Sequence, residues 1–323
     1  MRNRFEGDMQ LLNLKNELDE AAELIERSGF SNEIVPTEQQ FSLTSQVKET
    51  DSLLERCANI VSNEQLSSKP SLRIVHHFAC SGGTLLSKCI SSLPNVYLLS
   101  EIHPLSLNHL GSKPKYLPTD TISLARYAKV PDVDFFAKQL FLRNIQYTEK
   151  YISDRGGILV LREHTHIDYC LGKKASPYSV VDKSLNKHFD LKHVVTVRNP
   201  IDSYVSLKLN DWVQFSPPTF DEYCKRLLKF INRYSKKSII KYEDFVEEPF
   251  KKIRKICKLL DLPYDERFID IFDLFDVTGD SGRSGGSIEK RERRQIDSSL
   301  VDEIHASKNF NKVCKILKYE KGV

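Results

Sequence analysis

The stretch Arg73-Ile-Val-His-His-Phe-Ala-Cys-Ser-Gly-Gly-Thr-Leu-Leu-Ser-Lys-Cys-Ile90 carries the clearest chemistry in the chain. An apolar strand runs into Ser81-Gly82-Gly83-Thr84 and then into an amphipathic helix. Adjacent glycines let a backbone turn tightly and approach an anion. The start of a helix offers N–H groups without intrahelical partners and the positive end of the helix dipole. Together these features cradle a phosphate. The hydroxyls of Ser81 and Thr84 add donors. No Lys precedes a Ser or Thr as in the GxxxxGK[ST] pattern, which argues against an ATPase or a GTPase.

A second anion site is read in His193-Val-Val-Thr-Val-Arg198-Asn-Pro-Ile-Asp202-Ser-Tyr-Val-Ser206. An Arg at a strand end can grip a phosphate with two parallel charge-assisted hydrogen bonds. Ser206, two turns into the following helix, can add a hydroxyl, while Asp202 is expected to cap or pair locally. Two further strands end in Leu99-Ser100-Glu101-Ile102-His103-Pro104 and Leu161-Arg162-Glu163-His164-Thr165-His166. Carboxylates and imidazoles at the carboxyl edge of a parallel sheet lie where ligands of open α/β folds bind, and either type can act as a general base. Alternation along a strand puts Glu101 and His103 on one face. It puts His164 and His166 on opposite faces, against a shared metal. Partial burial is expected to raise the Glu101 pKa and improve it as a base.

These residues need a scaffold. Short apolar runs at Leu72–Phe78, Asn95–Leu99, Gly157–Leu161, His193–Val197 and Ser238–Lys241 suit buried strands. Helical patterns lie between several of them. The clearest is Pro249–Leu260, with Phe250, Ile253, Ile256, Cys257 and Leu260 on one face and its lysines in water. The expected fold is α/β, a parallel sheet with helices on both faces. Residues 1–70 read differently, as an N-terminal helical extension and linker preceding a domain over 71–323. Leu11, Leu14, Leu18 and Ile25 mark an amphipathic helix that suits packing on the main body, a partner or a second copy. Residues 30–50 read as a linker, and Ser52–Val61 as a second short helix.

With 48 basic and 44 acidic residues the formal charge is +4, too mild for nucleic acid as the main ligand. Seven widely spaced cysteines without a CxxC pair argue for reduced thiols rather than a disulfide framework or a zinc site. Neither a signal peptide nor a membrane span is read, and the expected location is cytoplasmic.

The two anion motifs, in this order, resemble the PAPS-dependent sulfotransferase superfamily, and the likeness is to its divergent bacterial members. Ser81, Gly82 and Thr84 match the family's first loop, and Arg198 and Ser206 match its R-[DN]-P-x-[DE]-x-x-x-S motif. Ile239-Ile-Lys-Tyr-Glu-Asp-Phe-Val-Glu-Glu-Pro-Phe250 and Leu260-Asp-Leu-Pro263 resemble its "YEDL…P" region, so the likeness spans about residues 72–275. It implies a P-loop-type fold, PAPS as sulfuryl donor, PAP as product and a hydroxyl or amine acceptor; no metal is expected, because neither a Walker-type Lys nor a recognisable carboxylate cage accompanies the first loop. Cys80, Ser81, Gly82, Gly83, Thr84 and Leu85 would hold the 5′-phosphosulfate, and Arg198 and Ser206 the 3′-phosphate. Cys80 stands where many members carry Lys or Arg; Arg162 and the late basic segment are the candidates to replace that charge. That segment, Gly279–Arg294, is Gly/Ser-rich and then basic. In the family such a loop closes over the nucleotide, a role that suits Arg283 and Arg291. By the same likeness Glu101 ranks first as base, His103 second, and Glu163 or His164 next. Residues 104–155, with Tyr116, Arg126, Tyr127, Arg143 and Tyr147, are read as the acceptor side for a carbohydrate, lipid or small molecule. Phe135 and Phe136 are expected in the core. Two rival readings are an ATP-dependent kinase of related fold and a non-catalytic nucleotide-binding scaffold.

Overall fold

Leu72, Ile74, Val75, Val160, Leu161, Val194 and Val195 have no exposed surface. Strands apolar on both faces belong inside a parallel sheet covered on both sides. In a computed structural model of the chain, residues 69–106, 120–278 and 287–322 are described. The N-terminal helices and linker read above lie outside these residues, as do Tyr116 and Arg283.

Along the described chain run β1 (Ser71–His77), α1 (Gly83–Ser91), β2 (Val96–Ile102), α2 (Thr121–Tyr127), α3 (Val133–Ser153) and β3 (Ile158–Glu163). Then come α4 (His166–Tyr169), β4 (Leu171–Gly172), α5 (Val180–Leu185), β5 (Asp190–Val197), α6 (Pro200–Leu209) and β6 (Gln214–Phe215). The last are α7 (Phe220–Ile231), β7 (Ile239–Lys241), α8 (Tyr242–Glu247), α9 (Pro249–Leu260), α10 (Phe268–Ile271), α11 (Ser298–Ala306) and α12 (Lys308–Leu317). Five strands form a parallel sheet in the order β2-β3-β1-β5-β7, and β4 and β6 form a small parallel pair.

Leu86 and Ile90 of α1, Phe245 of α8 and Ile253, Ile256 and Leu260 of α9 cover one face, against Val75, Val160 and Val194. Phe141, Leu142 and Ile145 of α3 and Val181 and Leu185 of α5 cover the other, against Ile74 and Leu161. A third apolar cluster gathers Tyr204, Phe220, Tyr223, Phe230 and Phe310 around α6, α7, α11 and α12. Phe135 and Phe136 do not join the core; they are 65% and 37% exposed. The buried stripe of α3 runs through Ala137, Phe141, Leu142 and Ile145, and the helical repeat leaves the two phenylalanines off it. In α9 the expected stripe is buried except for Phe250, which stays half-exposed at the first turn with its ring edge on Phe268.

The strand order sets where a ligand can bind. The chain leaves β1 toward β2 and leaves β5 toward β7, in opposite directions along the sheet. The crevice between the carboxyl ends of β1 and β5 is therefore the topological switch point. The pleat sets which side chains reach it. His76 is the register partner of Glu163, and Val75 of Arg162. His76 and Glu163 thus turn to the α3–α5 face, and His77 and Arg162 to the α1 face.

Candidate functional site

The loop from β1 to α1 turns through two left-handed residues, Cys80 at φ 61° and Gly82 at φ 81°. A Cβ on Gly82 would sit 2.3 Å from Cδ2 of the Tyr242 ring, and one on Gly83 would sit 2.7 Å from the His77 ring. Both positions therefore exclude a side chain as the loop now stands. Ser81 is anchored twice: its N–H donates to Phe78 O at 3.1 Å, and its hydroxyl lies 3.1 Å from Thr196 Oγ1. The first bond of the α1 ladder runs from Leu86 N–H to Gly82 O, 3.2 Å. The amides of Gly82, Gly83, Thr84 and Leu85 precede that ladder and form the positive end of the helix. Among the described residues no side chain caps this end, and no acidic residue stands in its first turn. Burial pushes the Cys80 thiol up to about 11 against the pull of the Arg198 charge, so at neutral pH it is a thiol and no nucleophile.

Arg198 leaves β5 at the crevice, with its guanidinium carbon 4.9 Å from the Tyr242 ring centroid. One ring therefore touches both the glycine turn and the arginine. Asn199 caps α6, its side-chain oxygen accepting from Ile201 N–H at 3.0 Å, and Pro200 occupies the first turn. The Asn199 N–H donates to Glu243 Oε1 at 2.7 Å, which ties α6 to α8 beside Tyr242. Ser206 is buried on the inner side of α6. Asp202 does not cap or pair locally: it accepts from Arg293 Nε at 3.1 Å, because the late basic segment folds back onto α6. In that segment Arg291 is exposed, whereas Arg294 is half-buried and its charge is felt at Cys80.

Glu101 sits at φ 58° where the pairing of β2 with β3 shifts between Leu99 and Ile102. This irregularity breaks the alternation, so Glu101 and His103 reach different partners. Glu101 Oε1 lies 2.7 Å from Arg162 Nη2 and 3.3 Å from His77 Nε2, and Oε2 lies 3.8 Å from His164 Nε2. Arg162 Nη2 also donates to Thr84 Oγ1 at 3.2 Å. Its Nη1 donates to Ser100 Oγ at 3.0 Å and to Thr278 O at 3.1 Å, which anchors the chain at Thr278. Burial alone would raise the Glu101 carboxyl, but His77, Arg162 and His164 outweigh it and hold the group at about 2. The expectation of a raised value fails because burial comes with cationic and hydrogen-bonding partners. Burial, helped by the Arg162 charge, lowers His77; burial, opposed by Glu101, pushes His164 down to about 4. At neutral pH the cluster is one carboxylate, one guanidinium and neutral imidazoles.

The His103 ring is buried elsewhere, with Nδ1 accepting from Leu105 N–H at 3.1 Å and Nε2 lying 3.5 Å from Asp168. Glu163 is buried on the far face against His76 and Ser179, away from the crevice. His164 and His166 lie beyond the end of β3, so strand alternation does not apply to them; their ring centroids are 6.2 Å apart. Arg293 and Arg294 lie in the late basic segment singled out in the sequence, whereas His77 and Tyr242 did not stand out there. Tyr242 falls within the Lys-Tyr-Glu-Asp run, and a ring at that strand end was the available signal.

No curated protein matches the chain. Among solved structures, a sulfotransferase domain from the curacin biosynthetic pathway aligns over 79% of this chain and 99% of its own, with 17% identity and a TM-score of 0.49. A sulfotransferase domain from the olefin synthase of Synechococcus PCC 7002 aligns over 79% and 97%, with 16% identity and a TM-score of 0.44. Mouse sulfotransferase SULT7A1 complexed with PAP aligns over 80% and 86%, with 12% identity and a TM-score of 0.36. The sequence pattern of the sulfotransferase family matches residues 78–266, from Phe78 at the mouth of the glycine turn to Glu266 beyond α9. Because that span takes in more than half of the chain, including both sides of the crevice, the chain belongs to the sulfotransferase family.

Proposed function

We propose that the protein transfers a sulfuryl group from PAPS to a hydroxyl or amine of a carbohydrate, lipid or small-molecule acceptor. One observation carries the reading: Gly82, at the start of the loop-to-helix turn, and the Arg198 guanidinium flank one ring, Tyr242, beside the switch point of the sheet. PAPS carries two anionic ends. The loop Cys80–Leu85 takes the 5′-phosphosulfate through its backbone, and Arg198 with Ser206 takes the 3′-phosphate. Arg162, which already reaches Thr84, supplies the charge that Cys80 lacks. Arg294 joins it from the late segment, and Arg283 and Arg291 are assigned to the adenosine side.

Sulfuryl transfer, like phosphoryl transfer, asks for in-line alignment and neutralisation of the leaving oxygen. An acceptor oxygen or nitrogen forms a bond to sulfur while the bridging S–O bond breaks. The electron pair leaves on the 5′-phosphate of PAP, facing the loop amides and Arg162. The acceptor's proton goes to His164, a neutral imidazole, and Glu101 balances the imidazolium that forms. Glu101 is then a positioning residue rather than the proton acceptor. His103 is set aside because its ring is buried against Asp168. Six free thiols among the described residues fit a reducing cytoplasm.

Calorimetry with PAP tests the donor assignment. The wild type should bind PAP, with ATP competing poorly, and Arg198→Ala should bind it roughly ten- to a hundredfold more weakly while remaining folded, as befits a charge-assisted contact worth about 1.5–3 kcal/mol. A folded variant with unchanged PAP affinity removes the 3′-phosphate site, and ATP binding in preference to PAP favours a kinase. Labelled PAPS offered with a panel of sugars, lipids and phenols then identifies the acceptor.

A further inference from the structure

The face of the sheet opposite Arg162 carries a second polar cluster that sulfuryl transfer does not use. His76 Nδ1, from β1, lies 2.5 Å from Glu163 Oε2, and Glu163 Oε1 accepts from Ser179 Oγ at 2.5 Å. The Tyr234 hydroxyl also lies 3.1 Å from that nitrogen. A carboxylate held this close fixes the hydrogen on Nδ1 and leaves the Nε2 lone pair facing away from it. His76 Nε2 in turn faces His193 Nδ1, from β5, at 2.9 Å and Asp182 Oδ1, from α5, at 3.7 Å. His193 Nδ1 and Asp182 Oδ1 are 3.9 Å apart.

Three donor atoms from three elements thus form a triangle, all within 4.8 Å of one another. The point equidistant from them in their plane lies about 2 Å from each, the length of a zinc–nitrogen or zinc–carboxylate bond. Asp182 Oδ1 is shielded from solvent and has no hydrogen-bond partner among the described residues. A buried polar atom without a partner calls for an explanation, and an unseen ion is one. Two imidazole nitrogens at 2.9 Å likewise need a proton or a cation between them. Asp182 and His193 border an open hollow shared with Lys69, Asn186 and Arg233, so a metal has a way in and its fourth position faces water. Arg233 works against a cation there, and the carboxylates of Asp182 and Glu163 offset it.

We infer that His76, Asp182 and His193 form a binding site for a divalent first-row transition metal of zinc's class, with Glu163 positioning His76. Two imidazoles and one carboxylate are the donor set of such metals, whereas Mg²⁺ and Ca²⁺ prefer oxygen throughout. The site clamps β1, β5 and α5 together behind the crevice, independently of what the crevice binds.

Zinc alone is the probe, added to the full chain after chelator treatment and dialysis. The wild type should take up one Zn²⁺ and melt at a higher temperature with it. Co²⁺ should give the visible bands of a four-coordinate ion without thiolate charge transfer. His193→Gln and Asp182→Ala should each abolish the zinc-dependent rise, and Glu163→Gln should weaken binding roughly 10–100-fold. His305→Gln, at an exposed position, should bind as the wild type does. A wild type that binds no zinc, gains no melting temperature, or binds through thiolate overturns the inference without any variant. So does zinc retained at full affinity in folded His193→Gln.

Discussion

Arg162 meets Glu101, His77 and Thr84 at once, and the balance among them decides which group beside the crevice can take a proton. A carboxyl held at about 2 is a poorer proton acceptor than the His164 imidazole, which is itself pushed down to about 4 and stands neutral next to it. On the proposed function, anionic PAPS would draw on the Arg162 charge and raise the imidazole's basicity, so that donor binding would itself prepare the base. His164→Gln should therefore lower turnover by roughly 10²–10⁴ with PAP affinity nearly unchanged. Glu101→Gln should also lower turnover, but through His164. Its signature is a displaced acidic limb in the pH–rate profile, because the imidazolium loses its counter-charge. Steady-state rates across pH for both variants, with PAP calorimetry alongside, check this. An inactive Glu101→Gln beside an active His164→Gln returns the base to Glu101, and a loss confined to His103→Gln moves it there.

At the scale of elements, the strand–turn–helix around Gly82 depends on a ring that arrives from 160 residues along the chain. Gly82 needs both the left-handed backbone and the space that Tyr242 leaves. Gly82→Ala should therefore displace Tyr242 or the loop. It is expected to lower the melting temperature and weaken PAP binding at least tenfold, since the same ring flanks Arg198. Differential scanning calorimetry and PAP titration check it; wild-type values in both would show that the turn tolerates a side chain. The turn itself was legible beforehand, because glycine pairs, apolar runs and an Arg-x-Pro junction are local signals. The bulge at Glu101 was not: nothing in Leu99–His103 announces a positive φ, so alternation placed Glu101 and His103 together when their partners differ. The same holds for α3, where Phe135 and Phe136 look like core residues until the neighbouring stripe through Phe141 and Ile145 is known to be the one that packs. Local composition names residues that can be buried. Only tertiary packing chooses among them.

Across the whole molecule, alternate residues of β1 and β3 deliver polar groups to opposite faces of one sheet, and the chain must bury both sets to fold. That burial links stability to pH. His164 is pushed down to about 4 in the folded protein from an ordinary value of 6.5. Between those two values the unfolded chain binds a proton at this residue that the folded chain does not. The folded state therefore loses stability as pH falls from 6.5 toward 4, and the contribution is fully present only above 6.5. Glu101, His77, His166 and His103 are the charged or titrating neighbours whose fields set the value. They remain in place in a His164→Gln variant, so the groups elsewhere in the chain cancel when the two proteins are compared. Whatever the stability gap is at pH 7, it should move in favour of the variant on acidification, by a few kcal/mol at most between pH 7 and pH 4. Urea unfolding of both proteins at pH 7, 6, 5 and 4, in the presence of chelator so that no bound metal contributes, measures the gap directly. A gap independent of pH would mean that His164 titrates normally in the folded protein, as a stronger base than one pushed down to about 4.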